Sequence, residues 1–426
     1  MNARPTHYDD APEDHEMTTH GLTAPAEPKT APRGPARFWA TAYTLLCLLT
    51  GTNLPTPLYR GYQREFGFSP LVVTLIFAVY VASLIPSLLI AGPLSDSVGR
   101  RIVLLPAVVL AALGSLAFAL ADGVGWLFAA RLLQGLAVGA ASGALTAALT
   151  ELEPRGDRGR AALVSTVASV GGLGAGPLIA GLLAEYAPWP YVLPYALEIV
   201  LLVPAAITMV TLPATRPTTR WRPRRPTVPA SMRGLFLSSG TASFLAFSVT
   251  GLFLSLVPTY VTKLSGSDNL ALAGGAVTLM LACSVLAQIA AAGRRALGNQ
   301  LTGLVVLAAG LVLLAVAGGL SSLPLLLFAT VVGGTGQGLA FLGAITEINR
   351  AAPQGRHADV LSSFYVVVYL GVGVPVIGVG LLATTTGLLT SVQVFAALVS
   401  ALCLLVAAVL FRRHMTGSGN EDGEQG

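Results

Sequence analysis

Long stretches without Asp, Glu, Lys or Arg alternate along this chain with short charged turns. The uncharged stretches are 38–59, 66–95, 102–121, 132–150, 161–184, 199–215, 234–262, 269–293, 296–346 and 360–411. An α-helix crosses the hydrocarbon core of a bilayer in roughly 20 apolar residues. The last two stretches hold two spans each, divided at Gly318 to Pro324 and at Thr384-Thr385-Thr386-Gly387. The pattern predicts an all-α integral membrane protein with twelve transmembrane helices, over 38–58, 71–94, 102–121, 125–149, 161–184, 190–212, 234–261, 269–292, 301–319, 323–347, 360–384 and 388–411.

Weak internal repetition divides these spans into two six-helix pseudo-repeat halves. Gln134-Gly135 recurs 203 residues later as Gln337-Gly338, Pro154 recurs 199 later as Pro353, and Pro177 recurs 198 later as Pro375. An even number of spans per half makes the two halves run the same way through the bilayer. The predicted organisation is a disordered cytoplasmic tail over 1–37, an N-terminal half over 38–212, a basic cytoplasmic linker over 213–233, a C-terminal half over 234–411 and a second cytoplasmic tail over 412–426.

Composition agrees with the pattern. Of 426 residues, 54% are hydrophobic and 11% charged, with mean hydropathy +0.73, against about 25% charged in soluble domains. Positive loops remain cytoplasmic. Of the 25 Lys and Arg, 21 fall in the tails and alternate connections, and only Arg60, Arg64 and Lys263 in the others. Both termini are therefore expected in the cytoplasm of a plasma membrane. Arg outnumbers Lys 23 to 2, which points to a GC-rich bacterial genome. The net charge of +5 is spread over loops where topology already places it, so no nucleic-acid partner is expected. Cys47, Cys283 and Cys403 fall within spans and read as small packing residues, so neither a disulfide framework nor a metal site is expected. All five histidines lie outside the spans, and no P-loop, HExxH or CxxC occurs. The chain is thus expected to be no enzyme, to carry no cofactor and to draw on an ion gradient.

Three motifs carry a resemblance to a known family. Between the second and third spans stand Gly92, Leu94, Asp96, Gly99, Arg100 and Arg101, with Ser95 and Ser97 as departures. In the fourth span stands Arg131-Leu-Leu-Gln134-Gly135, and in the fifth Gly172, Gly176, Pro177 and Gly181. Together they resemble the major facilitator superfamily, its drug/proton antiporter-like, twelve-helix branch, over roughly 38–411. The resemblance implies alternating access and a monomeric carrier. It also implies a cytoplasmic gate at 92–101, where Asp96 faces the N-terminus of the eleventh span and an arginine pairs with Glu151. The acidic residue that the family carries in the first span is absent, and Asn53 is the polar group there.

Two charged residues lie within spans at similar depth, Arg131 and Glu198. Buried charges face cavities or partners and mark ion pathways, so both are candidates for proton coupling; a static ion pair, or a neutral hydrogen-bonded carboxyl on a peripheral helix, is the plainer account. Asn53, Tyr80, Gln288, Tyr365 and Tyr369 are candidate cavity-lining groups, with core packing as the alternative for each. So few intramembrane charges disfavour a polyanionic solute. The expected activity is proton-coupled efflux of a small amphipathic compound: a drug, antibiotic or secondary metabolite. An uptake carrier for sugar or amino acid is the alternative, and a non-transporting sensor or scaffold ranks below it.

Overall fold

A computed structural model describes residues 35–211, 227–353 and 356–421, and every regular element among them is helical. Most of the expected tail 1–37 and linker 213–233 lies outside the described residues. In the N-terminal half the helices are α1 (Pro35–Asn53), α2 (Tyr59–Phe66), α3 (Pro70–Val98), α4 (Arg100–Ala119), α5 (Val124–Leu152), α6 (Arg158–Tyr186) and α7 (Leu193–Thr211). In the C-terminal half they are α8 (Arg233–Ser255), α9 (Val257–Ser265), α10 (Leu270–Ala290), α11 (Ala296–Gly319), α12 (Leu323–Ala351), α13 (His357–Thr386) and α14 (Leu388–Glu421).

Eleven of these helices are long and apolar enough to cross a membrane. The twelfth span is α1, whose Arg37 and four threonines make it less apolar. It lies against α5, α6 and α7, so much of its surface meets protein rather than lipid. Short helices α2 and α9 extend spans 1 and 7 beyond breaks at Pro55 and Pro258, two prolines 203 residues apart. Each lacks the N–H that would continue the helix. These breaks correct the single helices expected over 38–58 and 234–261.

Other boundaries also move. The charged turn at 92–101 is almost wholly helical: α3 runs to Val98, α4 starts at Arg100, and only Gly99 departs, at φ 98°. That left-handed angle is open to glycine without steric penalty. The helix of the last span continues to Glu421, so the expected tail 412–426 is largely its extension. Asp157, Asn269 and Ser322 cap α6, α10 and α12 by accepting backbone N–H groups, which fixes where three spans begin.

Packing repeats between the halves. In the first, α3 lies on α5, α4 on α5 and α7, and α1 on α6; in the second, α10 lies on α12, α11 on α12 and α14, and α8 on α13. The halves meet along α3 with α13 and along α6 with α10. Gly135 faces the backbone of Tyr80 and Leu84 on α3, and Gly338 faces that of Ser284 on α10, so the repeated Gln-Gly pair makes the same crossing twice. The end of the bundle holding the start of α1 and the end of α14 is called proximal below, and the opposite end distal.

Candidate functional site

Two prolines in the N-terminal half leave carbonyls without a helical partner, and the polar motif residues meet them. Pro55 frees the Gly51 carbonyl. Leu54 N–H turns back to it at 3.3 Å and Gln134 Nε2 donates to it at 3.2 Å. Within the same break, Arg131 Nη1 donates to the Thr52 carbonyl at 2.6 Å. Pro177 in α6 frees the Leu173 carbonyl, and Asn53 Nδ2 donates there at 3.0 Å. Asn53, a cavity-lining candidate from sequence, is buried here with its amide bonded to α6. Its amide answers a backbone need that span-by-span reading leaves out.

Arg131 is 0% exposed. Its Nε donates to Tyr59 Oη at 2.6 Å and its Nη1 also to Gln134 Oε1 at 3.1 Å, while Nη2 has no hydrogen-bond partner among the described residues. Four rings surround the guanidinium, with centres 5.4–5.7 Å away: Tyr59, Phe77, Tyr80 and Phe118. Aromatic faces attract a cation, more strongly where water is excluded. Tyr80 therefore faces this cation.

Glu198 on α7 is 3% exposed, and the Ser115 hydroxyl of α4 donates to its Oε2. The Cα of Gly51 faces the same carboxyl, so that any Cβ there would overlap it. Among the ion pairs of the described residues none joins Arg131 to Glu198. A chain of groups connects them instead: Arg131 to Gln134, Gln134 to the Gly51 carbonyl, and Gly51 against the carboxyl. Tyr59, Thr52 and Ser115 are members of this site that sequence reasoning missed. The signal for Thr52 was present, because a proline three residues on leaves nearby carbonyls in need of donors.

The fifth-span motif divides its work. Gly172 and Gly176 let α6 approach the backbone of α1 at Leu46, Thr50 and Asn53. Pro177 and Gly181 meet the other half, Pro177 against Gly274 and Gly181 against Leu270 on α10. At the proximal end Arg100 pairs with Glu151 and donates to the Ala144 carbonyl, tying α4 to α5. Gly92 and Leu94 lie in the last turns of α3, and Arg101 is exposed on α4. The side chain of Asp96 lies outside what the structure describes.

In the C-terminal half, Ser284 donates to Gln337 Oε1, and Gln288 Nε2 donates to Ser284 Oγ at 3.2 Å. The position 203 residues after Arg131 is Gly334, packed on the Met280 backbone, so the repeat of the motif lacks the cation. Tyr365 is 37% exposed and Tyr369 half-buried.

Hydrogen bonds and ion pairs join the halves in the middle of the bundle and at its distal end. Thr278 Oγ1 donates to the Gly174 carbonyl at 2.8 Å in the middle. Distally, Leu270 N–H donates to Glu185 at 2.8 Å. Asp268 pairs with Arg60 at 2.9 Å and with Arg64 at 2.7 Å. The hydrogen bond from Arg64, assisted by the charge of Arg60, holds the Asp268 carboxyl below the usual carboxylate range. Sequence reasoning assigned these three residues no role.

Twelve spans in two repeated halves, joined along two helix pairs, define a membrane carrier fold. The family model "Major Facilitator Superfamily" matches residues 41–302, and the chain belongs to that superfamily. It is 35% identical over 167 residues to a puromycin resistance protein of Streptomyces alboniger, covering 37% of this chain and 32% of that protein. It is 32% identical over 158 residues to a putative multidrug resistance protein of Escherichia coli, covering 37% of this chain and 33% of that one. The matches thus span about a third of the length of these curated relatives. Among solved structures, a D-xylose-proton symporter aligns at TM-score 0.71 and 17% identity, over 88% of this chain and 97% of that one. A peptide transporter bound to alafosfalin aligns at 0.75 and 16%, over 89% and 95%. At these identities the structural likeness shows the fold alone.

Proposed function

We propose that this chain exports a small amphipathic compound, such as a drug, antibiotic or secondary metabolite, in exchange for protons, with Glu198 as the proton-exchanging group. The observation that carries the coupling is the enclosed carboxyl of Glu198, held by Ser115 and packed against Gly51, whose carbonyl is joined through Gln134 to the guanidinium of Arg131. A carboxyl without an ion-pair partner inside a bundle gains and loses a proton according to which side of the membrane reaches it. The relatives' printed names, puromycin resistance and multidrug resistance, support export over uptake.

On this reading the chain lies in a bacterial plasma membrane as a monomer. Its basic proximal end and both termini face the cytoplasm, as the distribution of Lys and Arg requires. In this orientation the ion pairs of Asp268 with Arg60 and Arg64 tie the two halves together on the outer side. A proton entering across 100 mV releases about 2.3 kcal/mol, enough to hold an outward gradient of roughly 50-fold.

Inside-out vesicles with an acidic lumen and an internal pH dye test the reading. Adding an amphipathic drug is expected to release protons from the wild-type vesicles and none from Glu198→Gln, whose drug binding persists. Wild-type proton release from the Gln variant overturns the assignment of Glu198.

A further inference from the structure

We infer that Ser115 and Gly51 are positioning residues for the coupling carboxyl, together setting the pH at which it exchanges its proton. The inference rests on Glu198 being the exchanging group. Three helices converge on that group. Helix α7 carries Glu198, α4 supplies the Ser115 hydroxyl that donates to Oε2, and α1 supplies Gly51, whose missing side chain leaves the space the carboxyl fills.

The charged and titratable groups acting on Glu198 from the packed helices are Arg131 of α5 and Cys47 of α1; α4 contributes only the neutral hydroxyl. Arg131 already spends Nε and Nη1 on Tyr59, Thr52 and Gln134. Arg131 acts on the carboxyl through its charge alone, and the group in direct hydrogen-bond contact that distinguishes its ionised from its neutral form is Ser115. A hydroxyl that donates to a carboxylate favours the ionised form. Gly51 acts on the same bond by geometry, since a methyl there displaces the carboxyl from the hydroxyl's reach. The Gly51 carbonyl accepts from Gln134, so the backbone that shapes the socket is the one the Arg131 motif holds in place.

The two roles make a joint expectation. Ser115→Ala removes the donor, and Gly51→Ala pushes the acceptor away from it. Each is expected to move the pH profile of drug-driven proton release to more alkaline values by about one pH unit. Both act through one hydrogen bond, so the double variant is expected to shift no further than either single one.

The experiment measures proton release in inside-out vesicles across a pH series for wild type, S115A, G51A, the S115A/G51A double variant and E198Q, with drug affinity measured alongside. Drug affinity within twofold of wild type in S115A and G51A, with equal alkaline shifts that do not add, upholds the inference. An unchanged or acid-shifted profile in S115A overturns it, as do shifts that add in the double variant. E198Q separates this from the parent reading: wild-type transport by E198Q removes Glu198, whereas an inactive E198Q beside an unshifted S115A removes only the socket.

Discussion

At the residue scale, the chain spends one arginine inside the bilayer and surrounds it on all sides. Arg131 meets a carbonyl, an amide oxygen, a phenol and four ring faces. Lysine carries its charge as a point and cannot set donors on separate acceptors in one plane. Arg131→Lys is expected to leave the Thr52 carbonyl or the Tyr59 hydroxyl without its donor. That costs about 2 kcal/mol, read as a lower thermal midpoint of the detergent-solubilised protein; an unchanged midpoint would show that the cation, not its geometry, is what the site needs. The cost of burying a charge made Arg131 and Glu198 stand out in an uncharged run, and the sequence placed them at similar depth. It could not supply their relation. Both touch the Gly51–Thr52 segment, yet Gln134 and a glycine intervene, because which side chains fill the space between two helices depends on rotation about helix axes.

At the element scale, proline and glycine decide where helices break and where they touch. Pro55 and Pro177 each free a carbonyl, and the polar residues Gln134 and Asn53 stand where those carbonyls need donors. Hydrocarbon offers such groups no hydrogen-bond partner, and here side chains of neighbouring helices satisfy them. Asn53 thus supplies the donor that the Leu173 carbonyl needs. The glycines of α6 are split between its own half and the other, a division invisible in a motif read as one string. Gly181 meets the backbone at Leu270, with no room for a side chain. Gly181→Leu is expected to leave each half folded and to force α6 from α10 at the distal end. Bifunctional thiol reagents joining cysteines placed at Tyr186 and Asn269 read this directly, with cross-linking falling severalfold. Undiminished cross-linking would show that α10 yields without separating the halves.

At the scale of the whole molecule, the two halves are held together distally by Asp268 between Arg60 and Arg64. The pairing lowers the affinity of the Asp268 carboxyl for protons. Its contribution to distal closure is therefore fully present above the ordinary carboxylate value, near about 3.9, and is lost as pH falls through the lowered one. Between pH 5 and 8 the clamp is expected to hold, whereas Asp268→Asn removes it at every pH. The same cross-linking assay at Tyr186 and Asn269 checks this: the Asn variant should lose yield at neutral pH, and salt near 1 M should weaken the wild type, since exposed pairs are screened. By itself the sequence determined the membrane class, the twelve spans, the two halves and the positions of the buried charges. Those follow from the cost of placing charge and unbonded backbone in hydrocarbon, a cost paid residue by residue and so written locally. Only the tertiary structure decided which donor meets which freed carbonyl, that Arg131 and Glu198 do not pair, and that Asp268 ties the halves together distally. Those outcomes depend on how helices far apart in the chain rotate and cross, and a span rich in Ala, Leu and Val shows no preferred face from which to read it.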